Sequence, residues 1–195
     1  MDNNDYDFTV LRAIEAFRSR RLVFKALQPR DWDFYLGMTE QGPGISALHD
    51  PNLFRPPGGA ISKEQFRQAT SCPLAVLIRL RTDLRPIGIL TLAESKERDR
   101  SQFSHRNRSN LQLSIVIGME HAGGGYGTEA IKYALDWAFK HAGVHTVSAE
   151  AFEYNAPAIR VYEKVGFVWQ GRLRERHFRD RKWWDIVLFS MTESD

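Results

Sequence analysis

The segment Gly123-Gly-Gly-Tyr-Gly-Thr128 is the stretch that decides how this chain is interpreted. It follows an apolar run over 113–117 that is typical of a strand, and it precedes an amphipathic pattern over 128–142 that predicts a helix. Glycines at a strand-to-helix junction let backbone amides approach a ligand closely, and a helix N-terminus favours an anion. The segment therefore predicts a site for a phosphate-bearing cofactor.

Length and composition indicate a single globular domain. The chain has 195 residues, of which 43% are hydrophobic and 26% are charged, which is enough for a real core. It has no apolar run of the ~20 residues needed to cross a bilayer. Its one cysteine, Cys72, cannot form an intramolecular disulfide and suits a reducing compartment. The acidic start lacks a secretory pattern, so we expect a cytoplasmic or nuclear location.

The periodicity predicts a mixed sheet with flanking helices. Predicted strands lie at 21–28, 74–80, 87–93, 113–118, 145–151, 167–173 and 183–191, and predicted helices at 8–20, 31–41, 62–69, 128–142 and 155–165. We expect a helical N-terminal extension over 1–20 and one domain over 21–192. An antiparallel meander followed by a βαβαβ passage makes the fold class α/β or α+β.

Basic residues cluster at 96–108 and at 172–182, although the formal net charge is only +3. Such clusters are either solvated surface or a means of attracting a polyanionic cofactor or an acidic substrate. No recognised nucleic-acid motif accompanies them, which disfavours nucleic acid as a partner.

Two other phosphate-binding patterns compete for the glycine segment. Gly125-x-Gly127-x-x-Ala130, with Glu150 further on, matches the dinucleotide fingerprint. However, 119–124 separates these glycines from the strand, and the residues after Glu150 are too few for the further βαβ units of that fold. A Walker-type loop needs Lys-Ser or Lys-Thr after the glycines, and neither is present. A tight turn without a ligand is the third possibility.

A second segment, Asn155-Ala-Pro-Ala-Ile-Arg-Val-Tyr-Glu-Lys-Val-Gly-Phe167, narrows these possibilities. Together with the glycine segment it resembles the GCN5-related N-acetyltransferase (GNAT) superfamily, over roughly 21–192. The continuation Gly166-Phe-Val-Trp-Gln-Gly-Arg172 and then Trp183-Trp-Asp185 is similar to the RimJ/RimL-like branch, which acetylates ribosomal-protein N-termini.

The resemblance implies a GNAT fold, in which a mostly antiparallel central sheet contains parallel strands that splay at the cofactor site. It also implies acetyl-CoA as co-substrate, with no metal. The cofactor-binding residues that it implies in the glycine segment are Gly123, Gly125, Tyr126, Gly127 and Thr128. One departure is Ala122, which stands where the family usually has Gln or Arg, so the cradle is expected to depend on backbone amides.

Further site residues follow from the resemblance. The backbones of Val116 and Ile117 would hold the pantetheine arm and polarise the thioester carbonyl. Tyr162 would protonate the leaving thiolate, since a phenol with a pKa near ~10 is protonated at neutral pH. Asn155 would lie near the pantetheine, and it is also a good helix N-cap.

The general base is the least specified role. Glu150 ends the predicted strand before Asn155, where some members of the family carry a catalytic glutamate. Glu120 and Glu153 are rivals, and an enzyme can instead bind the amine in its neutral form. Cys72 has no neighbouring His motif, and direct transfer needs no cysteine.

The function that the resemblance implies is acetyl-CoA-dependent N-acetylation of a primary amine by direct transfer. The amine is a protein N-terminus, a lysine, a polyamine or a small molecule. We expect no membrane partner and a monomer or homodimer. Alternatives are a non-catalytic CoA- or acyl-CoA-binding module and a nicotinamide-dependent oxidoreductase. Substrate choice is expected to depend on 42–59, 95–110 and the turn at 172–182.

Overall fold

The computed structural model describes residues 17–40, 60–94 and 110–195. Within these ranges the strands are β1 (Leu22–Ala26), β2 (Leu74–Leu80), β3 (Pro86–Glu94), β4 (Asn110–Ile117), β5 (Thr146–Phe152), β6 (Val168–Arg179) and β7 (Lys182–Thr192). The helices are α1 (Trp32–Glu40), α2 (Ala60–Thr70), α3 (Tyr126–Lys140) and α4 (Ala156–Val165), with 3-10 turns at Pro29–Asp31 and Met119–His121.

The strands form one mixed sheet in the order β1-β2-β3-β4-β5-β7-β6. Only β4 and β5 are parallel among these neighbours, and α3 is the crossover between them. All the other neighbouring pairs are antiparallel. This confirms the predicted α+β architecture with a mixed, mostly antiparallel sheet.

The parallel pair separates partway along its length. β4 pairs with β5 only through Asn110–Leu113, opposite Thr146–Ala149. Beyond that point β4 continues along β3 as far as Ile117, while β5 continues along β7 as far as Phe152. The predicted splay is therefore confirmed, and a cleft opens between the C-terminal ends of the two strands.

Helices cover both faces of the sheet, because side chains alternate between the faces along each strand. On one face Val76, Ile78 and Leu90 pack in the core that includes α3 and α4. The buried stripe of α3 consists of Ala130, Ile131, Ala134, Leu135 and Ala138. On the other face Leu77 and Ile89 pack with residues of α1 and α2. None of the helices in the described ranges is long and apolar enough to span a membrane.

The boundaries of α4 follow the predicted capping chemistry. The Asn155 side chain accepts a hydrogen bond from the Ala158 N–H at 3.3 Å, and Pro157 lies in the first turn. Gly166 ends the helix in the left-handed region, at φ 111°. The structure therefore confirms the predicted N-cap role of Asn155.

Two predicted elements differ from the structure. Residues 17–20 form a turn and an isolated bridge between Arg18 and Val23, so the predicted helix does not reach residue 20. The rest of that helix, the predicted loop 42–59 and residues 95–109 of the predicted loop 95–110 lie outside the described residues, while Asn110, the last residue of that loop, begins β4.

The charged segment at 172–182 is not a long turn, as predicted, but mostly strand. The turn consists of Asp180 and Arg181, both with positive φ (52° and 61°), as in the type I′ turns of tight hairpins. This turn usually contains glycine, so the sequence lacks the expected signal. Bulges at Trp169/Gly171 and Leu173/His177 also interrupt the register.

Tyr133 offers a test of the packing between α3 and β1. Its ring stacks on Phe24 with 3.7 Å between centroids, and its hydroxyl is buried without a hydrogen-bond partner in the described part of the chain. We expect Tyr133→Phe to raise the free energy of unfolding by about 1 kcal/mol, because a buried unpaired hydroxyl is destabilising. Urea denaturation measures this change.

Tyr154→Phe is the matched control, because the Tyr154 hydroxyl hydrogen-bonds with Arg179. That variant should gain no stability. If Tyr133→Phe were less stable than wild type, the hydroxyl would have a partner.

Candidate active site

The glycine segment forms an exposed loop between β4 and α3. Gly123 and Gly125 have φ values of 75° and 76°, in the left-handed region that favours glycine. Nothing lies within 4 Å of a Cβ built on Gly123, so the backbone conformation, and not steric crowding, favours glycine at this position. The loop therefore leaves its backbone accessible.

Three amides at the start of α3 are available to an anion. The Glu129 N–H donates to the Gly125 carbonyl at 3.2 Å, and it is the first amide that has an acceptor one turn back. The N–H groups of Tyr126, Gly127 and Thr128 precede it and have no acceptor within the helix. Because they lie at the positive end of the helix dipole, this N-terminus fits the pyrophosphate of a CoA-type cofactor.

An arginine from a distant part of the sequence contacts this loop. Arg21, just before β1, donates from Nη1 to the Gly124 carbonyl at 2.9 Å. Its Nε lies 2.7 Å from Oε2 of Glu129 in α3, and its backbone N–H donates to Oε1 at 2.7 Å. The guanidinium also lies over the Tyr126 ring, with Cζ 4.5 Å from the centroid. Sequence patterns gave no indication of this contact, because Arg21 is more than 100 residues away.

The charge of Glu129 is held by these contacts. Burial alone would raise the pKa of Glu129, but hydrogen bonds from Ser19 and Arg21, together with the charge of Arg21, lower it below its usual value. The carboxylate is therefore ionised at neutral pH and fixes the guanidinium against the loop. The pair joins the start of β1 to the first turn of α3.

The end of β4 presents one edge to the cleft. The Gly118 N–H donates to the Ile87 carbonyl in β3 at 2.9 Å. In an antiparallel ladder the backbone groups of successive residues point to opposite sides. Those of Ile117 therefore point away from β3, toward the side where β5 has separated. The backbone groups of Ile117 are therefore free of β3, which suits the predicted contact with a ligand in the cleft.

Val116, the other predicted backbone contact, has the opposite orientation. By the same alternation its amide and carbonyl point toward β3. The carbonyl comes so close to Gly88 that a Cβ there would lie 2.3 Å from the Val116 oxygen. Gly88 is a glycine because only a residue without a side chain permits this approach.

Tyr162 and Glu150 come together beside the cleft. Tyr162 is 5% exposed, and its ring lies 5.5 Å from that of Phe167 and 5.7 Å from that of Phe189. Burial, and secondly the charge of Glu150, raises the pKa of Tyr162 to about 12. Glu150 is exposed on β5, one residue beyond the last one that pairs with β4. The two residues lie near enough to interact electrostatically.

The rival carboxylates are placed differently. Glu120 is 74% exposed and lies 3.1 Å from Nε2 of His121. Glu153 is exposed, and its N–H donates to the Asp185 carbonyl at 2.9 Å. Of the three glutamates, only Glu150 contributes to the raised pKa of Tyr162 among the residues described. In the described ranges no group of three or more His, Cys, Asp or Glu could hold a metal ion.

Comparison with known proteins adds evidence independent of this geometry. An acetyltransferase (GNAT) domain model matches residues 21–168, well over half of the chain. The uncharacterized N-acetyltransferase YokL of the Bacillus subtilis SPbeta prophage is 22% identical over 188 residues, which are 94% of this chain and 96% of YokL. Spermidine N(1)-acetyltransferase of Vibrio cholerae is 30% identical over 108 residues, covering 55% of this chain and 57% of that protein.

Solved structures share the fold. A GNAT-family acetyltransferase from Bacillus anthracis superposes with a TM-score of 0.73 at 17% identity, over 92% of this chain and 99% of that one. The Vibrio cholerae spermidine N-acetyltransferase in complex with CoA and spermine gives a TM-score of 0.72 at 21% identity, over 90% and 98%. With the family match over most of the domain, these likenesses show that the chain belongs to the acetyltransferase (GNAT) family and is an N-acetyltransferase.

Proposed function

We propose that this N-acetyltransferase moves the acetyl group of acetyl-CoA directly to a primary amine. The observation that carries the proposal is the splay of β4 and β5 beside the glycine loop. In this proposal an open strand edge, the helix amides without an acceptor and the Tyr162–Glu150 pair surround one cleft. Acetyl-CoA supplies an acetyl group activated as a thioester.

On the cofactor side, the backbone supplies most of the binding groups. The amides of Tyr126, Gly127 and Thr128 bind the pyrophosphate, and the positive φ of Gly123 and Gly125 keeps the loop open to it. Ile117 hydrogen-bonds the pantetheine arm along the free edge of β4. Asn155, at the start of α4, would lie near the pantetheine arm, as the resemblance implies.

Arg21 completes the loop where the family's usual Gln or Arg is replaced by Ala122. Its guanidinium hydrogen-bonds the Gly124 carbonyl and also pairs with Glu129, so it orients the backbone amides at the start of α3. Because Glu129 neutralises most of its charge, Arg21 acts chiefly as a positioning residue. It holds the loop in the conformation that accepts the pyrophosphate.

Tyr162 is the general acid in this proposal. With its pKa raised to about 12, the phenol is protonated throughout the physiological pH range. As the amine nitrogen bonds to the carbonyl carbon and the carbon–sulfur bond breaks, Tyr162 Oη donates its proton to the departing sulfur. The phenol then regains a proton from solvent.

Glu150 is the proposed base. It accepts the proton that the amine loses, either directly or through a water, so that one proton leaves nitrogen and one reaches sulfur. Its place just past the branch point of β4 and β5 supports this role, as does its interaction with Tyr162.

The acceptor is a separate question. Relatives named spermidine N-acetyltransferases suggest a polyamine. The motifs at 166–172 and 183–185 suggest a ribosomal-protein N-terminus, which stays a prediction, as does a cytoplasmic location. Lysine and small amines are the other acceptors in this class.

A direct assay tests the activity. Incubation of the full chain with acetyl-CoA and a panel of primary amines should release free thiol in proportion to acetylated product, measured by a thiol reagent and by mass spectrometry. Cofactor binding without transfer to any amine would instead support a non-catalytic CoA-binding module.

Tyr162→Phe tests the general acid. We expect kcat to fall by about 10²-fold or more, with little change in KM for acetyl-CoA, since proton transfer is lost and binding is kept. Tyr133→Phe is the control, because the pKa of Tyr133 is also raised to about 12, with burial as its main cause. Unchanged turnover in Tyr162→Phe would remove Tyr162 from the mechanism.

The pH dependence gives a second test of the same residue. A phenol with a pKa of about 12 is in its active, protonated form at all lower pH values. Tyr162 should therefore cause no loss of kcat between pH 7 and 10. A fall in this range that disappeared in Tyr162→Phe would contradict the raised pKa.

Arg21→Gln tests the loop. Loss of the guanidinium should raise KM for acetyl-CoA about tenfold, equivalent to about 1.4 kcal/mol, with kcat nearly unchanged. Arg21→Lys should recover little, since lysine cannot reproduce the planar fork. Arg67→Gln, which breaks the exposed Arg67–Glu64 pair on α2, is the control. An equal effect in both variants would rule out a specific role for Arg21.

A further inference from the structure

The β6–β7 hairpin extends past the end of β5, on the side where the cleft opens. Phe152, the last residue of β5, pairs with Ile186 of β7, and the Glu153 N–H donates to the Asp185 carbonyl at 2.9 Å. β7 begins at Lys182, four residues before Ile186. At about 3.3 Å per residue, the tip of the hairpin therefore projects about 13 Å beyond the end of β5.

Aromatic contacts fix this projection beside the catalytic residues. Tyr154 lies in the loop between Glu150 and α4, and its ring is 5.3 Å from that of Trp184 and 5.8 Å from that of His177. The guanidinium of Arg179 also lies over the Tyr154 ring, with Cζ 4.8 Å from the ring centroid. The hairpin is thus anchored to the loop that follows Glu150.

The projecting hairpin is strongly cationic. Between 172 and 182 it carries two acidic residues, Glu175 and Asp180, and six basic ones: Arg172, Arg174, Arg176, Arg179, Arg181 and Lys182. Arg172 pairs with Asp185 at 3.4 Å, and Arg179 pairs with Asp180 at 3.1 Å. Arg174, Arg176 and Arg181 are exposed and form no ion pair within the described part of the chain.

This charge does not depend on pH in the neutral range. The one histidine of the hairpin, His177, is buried among aromatic rings. Burial, and secondly the charge of Arg179, lowers the pKa of His177, so that it is neutral at pH 7. The positive potential comes from arginine and lysine alone.

The positive charge of the hairpin determines which kinds of molecule can bind to it. A polyamine approaching the cleft would meet like charge. A second copy of the chain paired along the edge strand β6 would bring two rows of arginines together, which is destabilising. An extended chain with carboxylates would meet opposite charge.

We propose that the acceptor is an acidic peptide, whose terminal amine enters the cleft while its following carboxylates contact the arginines of the hairpin. This rests on the proposed amine acetylation. Arg174 and Arg176 lie between the Leu173–Ile186 and His177–Trp184 pairs, within about 7 Å of the level of the end of β5, and Arg181 lies at the tip, about 13 Å beyond it; the exposed arginines thus span up to about four residues of extended peptide. The carboxylates would thus lie shortly after the reactive N-terminus.

Kinetics with matched acceptors tests this proposal. The probes are hexapeptides with a free N-terminus that are acidic (Asp and Glu), neutral (Ser and Gly) or basic (Arg), together with spermidine and a phosphorylated amino sugar. We expect kcat/KM for the acidic peptide to exceed that for the basic one at least about tenfold at low salt. The difference should shrink in 0.5 M NaCl at a Debye length of about 4 Å, and should be the same at pH 6.5 and 8.

A charge variant locates the effect. Arg174→Gln with Arg176→Gln should raise KM for the acidic peptide about fivefold and leave the neutral peptide and the KM for acetyl-CoA unchanged, as expected for exposed steering charges. The control is Lys140→Gln with Lys164→Gln, which removes two exposed charges from the last turns of α3 and α4. Melting temperatures confirm that both double variants fold.

The outcomes separate this proposal from the proposed function. If no amine is acetylated, the proposed function itself fails. If amines are acetylated but the three peptides react equally, or spermidine reacts best, only the acidic acceptor is overturned. A preference for the phosphorylated amino sugar over the acidic peptide would overturn the proposal that the acceptor is a peptide, but it would still support selection of anionic acceptors by the hairpin. If the Lys140→Gln, Lys164→Gln control variant also lost the preference for the acidic peptide, the charges responsible for that preference would not be those of the hairpin.

Discussion

The separation of β4 from β5 is the constraint on which the rest of this structure depends. Two parallel strands that stayed paired to their ends would satisfy their backbone groups with each other and leave no room between them. Here the pairing stops after Leu113 and Ala149, and each strand is held instead by its outer neighbour. The close approach of the Val116 carbonyl to Gly88 shows how tightly β3 holds β4 beyond that point. The free edge then becomes available to a ligand.

Everything that the proposed reaction needs is arranged around that opening. The glycine loop and the start of α3 lie at the end of β4, while Glu150 and the cap of α4 lie at the end of β5. Tyr162 is buried in the core that includes α3 and α4, and it lies near enough to Glu150 for that charge to affect its pKa. Burial gives that residue its raised pKa, so the packing of the core also sets the chemistry of the proposed acid.

Local patterns predicted most of this arrangement. The helix patterns over 128–142 and 155–165 and the Asn155 cap each depend on residues close together in sequence, and in the structure both helices lie within two residues of those ranges, with Asn155 as the cap. The prediction of a long turn over 172–182 is wrong because the Asp180-Arg181 turn lacks the usual glycine, so there is no local sequence signal of a tight hairpin there. The sequence could not predict which way the backbone groups of Val116 point, because that depends on the register of β4 with β3.

The sequence by itself determined the fold class and the position of the cofactor loop, because glycine conformation, capping and side-chain periodicity act over a few residues. Only the tertiary structure decided that Arg21 contacts that loop across more than 100 residues, that Glu150 lies near enough to Tyr162 to raise its pKa, and that an arginine-rich hairpin extends past the end of β5. Those relations depend on which strands are neighbours and where each one ends. Sheet order and register are set by the packing of the whole domain, not by any one segment.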